Sequence, residues 1–374
     1  MRPDSQNDVR PASWALVIAT YKRREILLRC LENAMRQSRL PAEVVVVDAS
    51  PDWQLNREQA LLVLAARPEI AVQYVEARRP SLPVQRNQGI ELAHSDVAFL
   101  IDDDSMMYPH CAAEVMKVYD ADVECQVSGV MCMPTELPPD ADRAASSMGA
   151  SGQVATQPVQ TPLRKLVKRL LNTEATFFLP YEAEVRQRSI PAQLHGLRVG
   201  VVEVMPGYAM TFRRSVLLKE RFCELLERYA AGEDQDLSYR ASRHGLLLLA
   251  EQAQLCHLEI SGGRLSRRTT TALADLNPAA MQVLYSDDLP RSRRSWQKIV
   301  RKRLLIRLLK DISERDWSFQ RTQGTLLAMR KLGQVYERTP EALAGWYGEL
   351  QNELIEQDLA AAAGTPPLRV GSRR

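Results

Sequence analysis

Short apolar runs rich in β-branched residues alternate with segments of helical periodicity through the first hundred residues of the chain. This alternation is typical of β-α-β units, and it predicts an α/β fold with a mainly parallel sheet covered by helices on both faces. The predicted strands are Trp14–Thr20, Glu43–Asp48, Ile70–Glu76 and Val97–Ile101. The predicted helices between them are Glu25–Gln37, Asn56–Ala66 and Leu82–Ala93.

Three adjacent carboxylates, Asp102, Asp103 and Asp104, follow the fourth predicted strand in the stretch FLIDDDSM. Close carboxylates repel by roughly 1 kcal/mol per pair even in water, so a compensating charge or full solvation is required. Hard oxygen ligands of this kind suit Mg²⁺ or Mn²⁺. The alternative is a solvated acidic turn that caps the next helix.

Other polar side chains follow the ends of the first two predicted strands. Thr20, Tyr21 and Arg23 come after the first strand, and Asp48 ends the second. Ligands of open α/β sheets bind outside the carboxyl ends of the strands, so these side chains should converge with the acidic triplet. The glycine-rich loops that cradle phosphate in dinucleotide-binding and P-loop proteins are absent from the sequence, which favours a metal bridge instead.

A second acidic cluster lies far downstream, in the stretch GEDQDLSYR at residues 232–240. Its acids, Glu233, Asp234 and Asp236, stand at the start of a helical segment and cannot all face the core. Pro206-Gly207 precedes the cluster and predicts a loop beside a cleft. A predicted strand, Leu246–Ala250, follows the cluster and leads to His257.

Four separated features together resemble a family 2 glycosyltransferase with the GT-A fold, from about Trp14 to about Gly263. They are VIATYKR, VVVVDAS, the block LPVQRNQGIELAHSDVAFLIDDD, and GEDQDLSYR with the later His257. The resemblance implies inverting transfer of a sugar from a nucleotide diphosphate sugar to an acceptor hydroxyl, with Mn²⁺ or Mg²⁺ as cofactor. The acceptor it implies is a glycan or a lipid-linked sugar.

The resemblance also implies a role for each matching residue. Thr20, Tyr21, Arg23 and Asp48 match the nucleobase and ribose pocket of the donor site. Arg86 and Asn87 match the Arg-Asn pair that precedes the acidic strand in the family and belong to the same donor site. Asp102 matches a ribose contact, which Asp103 shares. The metal positions are Asp104, Asp102 and His257. Asp234 matches the general base and Glu233 the acceptor-binding acid, and Asp236 remains the nearest rival for the base.

Two functions of other classes stay open at this point. A nucleotidyltransferase would share the layout and the metal, but it would normally carry a glycine-rich basic loop after the first strand, and ATYKRRE has no glycine. A catalytically silent protein that binds nucleotide sugars or glycans would have little reason to keep both acidic clusters.

The resemblance implies a GT-A domain at 14–263. Around it the sequence predicts a flexible N-terminal tail, 1–13, a helical extension, 264–360, and a flexible tail, 361–374. Within the domain, residues 134–161 are rich in Pro, Ala, Ser and Gly and predict a flexible insertion, either a lid or a surface excursion. In the extension, helices are predicted for Trp317–Val335 and Pro340–Leu359.

The segment Arg291–Lys310 carries nine Lys or Arg and no acid, with apolar residues interleaved. It predicts a basic amphipathic helix that binds an anionic membrane surface near a lipid-linked acceptor, or that docks on an acidic face of the protein itself. Nucleic acid is an unlikely partner, because a basic run alone is poor evidence for it. The six cysteines are scattered, and the polar N-terminus does not resemble a signal peptide, so a cytoplasmic protein is expected. If the basic helix binds lipid, the protein is expected to be peripheral at the inner face of the membrane.

Overall fold

The computed structural model describes residues 10–139, 189–227, 230–260 and 265–362. Nine strands form one sheet: β1 Trp14–Thr20, β2 Glu43–Asp48, β3 Ala71–Glu76, β4 Val97–Leu100, β5 Ser105–Met107, β6 Val127–Thr135, β7 Val199–Val201, β8 Met210–Arg213 and β9 Leu246–His257. The α-helices are α1 Arg24–Ala34, α2 Trp53–Leu64, α3 Leu82–Leu92, α4 Cys111–Ala121, α5 Arg214–Leu217, α6 Glu233–Ser242, α7 Arg267–Tyr285, α8 Leu289–Ser313, α9 Gln320–Tyr336 and α10 Pro340–Ala362. The predicted α/β sheet followed by helices is confirmed.

The strand order is β3-β2-β1-β4-β8-β6-β9-β5, with β7 paired to β9. Strands β3, β2, β1 and β4 run parallel, as the β-α-β pattern predicts. Strand β8 then pairs antiparallel with both β4 and β6, and β9 runs parallel to β6. The sheet is therefore mixed, and its parallel half is the part in which strands and helices alternate along the chain.

Both faces of the sheet are covered, and the apolar core lies in two layers. Helices α1, α2 and α4 pack on one face. Helices α3, α5 and α6 pack on the other. The central strand β2 contributes Val44 and Val46 to the first layer and Val45 and Val47 to the second, and all four are fully buried. Burial on both sides explains why this strand is a continuous run of valine.

Strand β9 extends well beyond the predicted Leu246–Ala250. It continues to His257, and its last residues pair antiparallel with β5, where His257 lies opposite Ser105. In this second half, buried Ala253 lies between exposed Gln252 and Gln254, whereas Leu255 and Cys256 are both buried where the strand pairs with β5. The longer strand carries His257 back to the acidic triplet.

Two segments predicted to be flexible, 1–13 and 134–161, lie partly within the described residues. The backbone N–H groups of Ala12 and Ser13 donate to Asp120 and Asp96, so residues 10–13 are held against the domain. Residues 134 and 135 belong to β6, where they pair with β9, because the strand runs past the start of the predicted insertion. The rest of that insertion from residue 140 lies outside the described residues.

The helices α7 to α10 share an apolar core of their own, which also takes in Leu226 and Ala230 from the sheet domain. Helix α10 ends at Ala362, two residues inside the predicted tail, and residues 363–374 lie outside the described part. None of the helices in the described ranges is long and apolar enough to cross a membrane. The domain boundaries proposed at 13, 263 and 360 stay predictions.

Candidate active site

The acidic triplet lies in the turn between β4 and β5, where Asp103 and Asp104 are buried. Asp103 accepts hydrogen bonds from the Thr20 hydroxyl (2.7 Å) and from Arg23 Nη1 (3.1 Å). Asp104 accepts from His257 Nε2 (3.0 Å) and lies 3.3 Å from Arg23 Nη1. The triplet is therefore not a solvated turn, and Arg23 supplies part of the compensating charge.

Burial and pairing act on these carboxyl groups in opposite directions. Burial raises the pKa of Asp103 to about 7, although the Thr20 hydroxyl and the Arg23 guanidinium oppose the shift. Burial also acts to raise the pKa of Asp104, but His257 and the Ile260 backbone N–H outweigh it and hold that pKa below its ordinary range. Asp104 is therefore the carboxylate best kept ionised for a cation.

Asp102, Asp104 and His257 each point one ligand atom into the same space, and these three atoms lie within 4.8 Å of one another. Two carboxylate oxygens and an imidazole nitrogen form a ligand set that fits a divalent metal ion. The His257 ring also stacks on Tyr208, with centroids 4.4 Å apart and planes at 11°. This stacking fixes the ring orientation in which Nε2 faces the carboxylates.

Arg86 connects the two acidic clusters across the cleft. Its Nη2 donates to Asp102 Oδ1 (2.8 Å) and to the Gly207 carbonyl (2.8 Å), and its Nη1 pairs with Glu233. The guanidinium is almost fully buried, so these contacts are shielded from water. The structure thus brings residues 86, 102 and 233, which are far apart in the sequence, into one site.

The second cluster begins helix α6, after Gly232, whose φ of 89° lies in the left-handed region that favours glycine. Asp234 Oδ2 accepts from the Gly207 N–H (3.1 Å) and its Oδ1 accepts from the Gln235 N–H (2.8 Å). Burial raises the pKa of Asp234, with these two backbone donors opposing the rise. Both bonds come from backbone donors, which fix the carboxylate at the rim of the cleft.

Glu233 is buried beside it and has a different environment. One of its oxygens pairs with Arg86, whereas Oε2 is buried without a hydrogen-bond partner among the described residues. Burial raises the pKa of Glu233 to about 8, against the opposing effect of Arg86. A carboxyl group with this pKa keeps its proton at neutral pH.

Asp236, the rival base, is turned away from the cleft. Its Oδ2 accepts from Arg240 Nε (3.0 Å) and Nη2 (2.6 Å), and its side chain has no exposed surface. Residues two apart on a helix point about 200° from each other, so Asp234 and Asp236 cannot serve the same cleft. The structure places Asp234 in the site and Asp236 in a structural ion pair.

The remaining residues predicted for the donor site, Asp48 and Tyr21, lie at the ends of β2 and β1. Asp48 ends β2 and is fully buried, accepting from Ser50 N–H, Asn56 and the Tyr74 hydroxyl. Tyr21 is exposed after β1. Strand ends β1 and β2 are tied together by Gln85, which donates to both backbone carbonyls there.

Asn87 lies outside the site. Its side chain donates to the Phe222 carbonyl (3.0 Å) and to Glu224 (2.9 Å), and its oxygen accepts from the Phe222 N–H. Adjacent residues of a helix point about 100° apart, so Arg86 can reach the cleft while Asn87 holds residues 222–224. These hydrogen bonds all tie Asn87 to residues 222–224, and its predicted contact with a donor stays a prediction.

Two site residues have no role in the sequence prediction. Gly207 contributes both its N–H and its carbonyl, and a Cβ there would lie 3.2 Å from Arg86 and from Glu233. Tyr208 stacks on His257. The Pro206-Gly207 signal indicated a loop beside a cleft, but nothing in the sequence shows which side chains that loop would face.

A cavity of about 380 Å³ opens beside the metal-ligand group. It is lined by Tyr208 and His257, by residues 134–136 at the end of β6, and by residues 258–259. A small molecule held in this cavity would contact the ring of His257 directly.

Comparison with solved structures gives low similarity over long stretches. The mannosyltransferase PcManGT from Pyrobaculum calidifontis, solved with GDP-Man and Mn²⁺, is 12% identical with a TM-score of 0.49, over 87% of this chain and 88% of that one. S. aureus TarS 1-349, solved with UDP-GlcNAc, is 15% identical with a TM-score of 0.45, over 94% of this chain and 92% of that one. With TM-scores below 0.5, these similarities add nothing to the assignment.

Sequence comparison is more specific. The uncharacterized glycosyltransferase YwdF of Bacillus subtilis (strain 168) is 31% identical over 96 residues, which are 25% of this chain and 34% of that protein. The match therefore spans about a third of that relative. The model of the glycosyltransferase-like family 2 matches residues 11–257, more than half of the chain, and includes both acidic clusters and His257. The chain belongs to the glycosyltransferase-like family 2.

Proposed function

We propose that the chain is an inverting glycosyltransferase that transfers a sugar from a nucleotide diphosphate sugar to a hydroxyl of a glycan or lipid-linked acceptor. The observation that carries this proposal is the contact of Arg86 with both acidic clusters. Displacement at an anomeric carbon requires stabilisation of the leaving group and removal of the acceptor proton. Two separate carboxylate groups on one cleft can divide these tasks.

Asp102, Asp104 and His257 would hold Mn²⁺ or Mg²⁺. Their convergence within 4.8 Å and the lowered pKa of Asp104 both suit a cation. A divalent ion at this position would supply Lewis-acid stabilisation of the charge that develops on the leaving diphosphate. Arg23, which lies beside Asp103 and Asp104, adds a positive charge to the same region.

The donor would lie along the carboxyl ends of β1, β2 and β4. Exposed Tyr21 would contact the nucleobase. Asp48, buried at the end of β2, would shape the nucleoside pocket by holding Ser50, Asn56 and Tyr74. Asp102 and Asp103 would bind the ribose. Arg86 orients Asp102 from the opposite side and keeps the negative charge of this wall in balance.

Asp234 would accept the proton of the attacking hydroxyl. The Gly207 and Gln235 N–H groups hold the carboxylate in place, and a raised pKa makes it a stronger base than a solvated aspartate. Glu233 would bind the acceptor through Oε2, the buried oxygen that has no partner among the described residues. A base on the wall opposite the leaving group is the arrangement that inversion by direct displacement requires.

The compartment proposed for this reaction is the cytoplasm. All six cysteines are free in the structure, and five of them are buried. Free thiols in such number are ordinary where the environment is reducing.

The test is a donor screen. Nucleotide release is measured for a panel of nucleotide diphosphate sugars with Mn²⁺ or Mg²⁺, with and without glycan or glycolipid acceptors. We expect release with at least one donor, and we expect it to stop when the metal is chelated. Asp104→Asn should lose metal-dependent donor affinity in calorimetry, since it replaces a charged ligand by a neutral amide.

Asp287→Asn is the matched control, because Asp287 is exposed and remote in sequence from both clusters. It should behave as the wild type. Donor binding without release or transfer, for every donor and acceptor tried, would favour the silent binding protein. Full activity in the presence of a chelator would contradict the metal assignment.

A further inference from the structure

Helix α8 docks on the protein through one face. Trp296 is buried and its Nε1 donates to the Asp275 carbonyl (2.8 Å). Arg303 Nη1 lies 2.9 Å from Asp275 Oδ1, and Arg307 pairs with the other oxygen of the same carboxylate. Asp275 is a fully buried residue of α7. One face of the basic helix therefore docks on an acidic group of the protein itself, which is one of the two alternatives that the sequence left open.

The opposite face of α8 is exposed along the length of the helix. Its exposed residues recur at intervals of three and four: Arg291, Arg294, Lys298, Arg301, Leu305, Leu309 and Ile312. At about 100° per residue, these seven positions fall within an arc of about 80°. The centre of this arc lies about 180° from the docked face, so the two faces serve separate purposes.

The exposed face is divided along its length into a basic and an apolar half. The four cations occupy the first half, and the three aliphatic residues occupy the second, with exposed fractions of 53% for Leu305, 48% for Leu309 and 46% for Ile312. Trp317, in the turn that follows the helix, is 68% exposed. Large apolar side chains in a continuous exposed series are unusual on a surface that contacts only water.

The acids near this apolar end are engaged within the protein. Asp311 is buried and accepts from Arg321 and Thr322. Glu314 pairs with Arg321 and with Lys310. Asp316, next to Trp317, accepts from the Ser318 hydroxyl and lies 4.0 Å from Arg321. Each of these three acids therefore has a cation within 4.0 Å, which reduces its repulsion of an anionic surface.

We propose that this exposed face of α8, together with Trp317, binds the surface of an anionic lipid bilayer. The four cations would lie against lipid phosphates, and the aliphatic residues with the tryptophan would enter the boundary between headgroups and acyl chains. The four cations favour an anionic bilayer over a neutral one, because their charge is opposite to that of the lipid phosphates. A nucleic acid would use the basic half and leave the apolar half in water.

The binding does not depend on the proposed sugar transfer and is measured without it. The full-length protein is mixed with phosphatidylcholine vesicles containing 30% phosphatidylglycerol, or none, and its partition is followed by flotation. We expect binding to the anionic vesicles alone, and weaker binding in 0.5 M NaCl because salt screens the attraction.

Two variants separate the contributions of the two halves. Reversing Arg294, Lys298 and Arg301 to glutamate should reduce partition by at least about 100-fold, since each cation contributes to the attraction and each glutamate is repelled. Leu305→Ser with Leu309→Ser should reduce it by at least about tenfold through loss of apolar burial. Neither change touches the face that docks on Asp275.

The matched control reverses Arg36, Arg57 and Lys219, three exposed cations of the sheet domain, to glutamate. It makes the same change in net charge and should leave partition unchanged. Equal loss in the control and the α8 variant would overturn the proposal, as would equal binding to neutral vesicles. Self-association through this face, or binding to a duplex DNA probe, without any vesicle binding would overturn it as well.

Discussion

Replacing Asp234 and Asp236 one at a time by asparagine should separate catalysis from stability. Asp234→Asn keeps the shape of the side chain but removes the group that would accept a proton. Loss of this proton acceptor should lower the rate of sugar transfer by at least about 100-fold, equivalent to about 2.7 kcal/mol in the activation barrier. The donor affinity should survive, because the hydrogen bonds described for Asp234 come from Gly207 and Gln235 and not from the metal-ligand group.

The effect of each change on stability follows from the contacts. Asparagine at 234 has one acceptor oxygen for two backbone donors, Gly207 and Gln235, so about 1 kcal/mol of unfolding free energy is at risk. Asparagine at 236 removes the fully buried charge that pairs with Arg240, whose own side chain is 8% exposed. Breaking such a pair costs about 3–5 kcal/mol, and the lower end applies because Glu220 still lies 3.0 Å from Arg240.

Three measurements on both variants check this reasoning: nucleotide release with saturating donor and acceptor, donor affinity by calorimetry, and thermal unfolding by circular dichroism. We expect Asp234→Asn to be inactive and nearly as stable as the wild type. Asp236→Asn should be active and unfold at a temperature lower by roughly 5 °C or more. Near-normal turnover by Asp234→Asn, or a stable but inactive Asp236→Asn, would refute the assignment of the base.

Two further predictions concern the same wall of the cleft. Gly207→Ala should lower transfer by at least about tenfold while the protein stays folded, because the new Cβ would lie 3.2 Å from Arg86 and Glu233 and displace them. Steady-state kinetics and a circular dichroism spectrum of the variant check this prediction. An unchanged kcat would contradict it. At saturating metal, the acid limb of kcat/KM should lie above pH 3.8, the ordinary carboxyl value, because burial raises the pKa of Asp234 and the base acts only when deprotonated. A pH–rate profile that stays flat down to pH 4 would show that another group removes the proton.

The parallel half of the sheet could be predicted closely from the sequence. Strands β1 and β2 have the predicted bounds, and β3 and β4 each differ from theirs by one residue. Strands β1, β2 and β4 are buried on both faces, so each is a continuous apolar run that ends at the first polar side chains. Strand β3 lies at the edge of the sheet, and only its Tyr74 is buried. Helix ends were less certain, and α1 stops at Ala34 rather than Gln37, because apolar spacing locates a helix better than its last turn.

The sequence predicted which residues belong to the site, but it could not predict how these residues are arranged in space. Strand β5 has only three residues and no pattern of its own, yet its pairing with β9 sets His257 opposite Ser105. In the same way, nothing local distinguishes Arg86, which spans the cleft, from Asn87, which does not. Gly207 and Tyr208 gain their roles only from what the folded chain places beside them.

Helix α8 shows the same division between composition and packing. Nine basic residues without an acid predict a basic helix, but the sequence alone left membrane binding and docking as alternatives. The buried Asp275 decides which residues dock, because a buried carboxylate requires cations beside it and only one face of α8 can supply them. The face that remains exposed follows from helical periodicity once that docked face is known.

The sequence by itself therefore determined the order of the strands and helices in the parallel half, the family and the identity of the two acidic clusters. These depend on burial patterns and residue types that are local to each segment. The tertiary structure alone decided which acid faces the cleft, which arginine joins the clusters and where His257 lies. Those contacts link residues up to 153 positions apart, and their distances depend on how the whole chain packs.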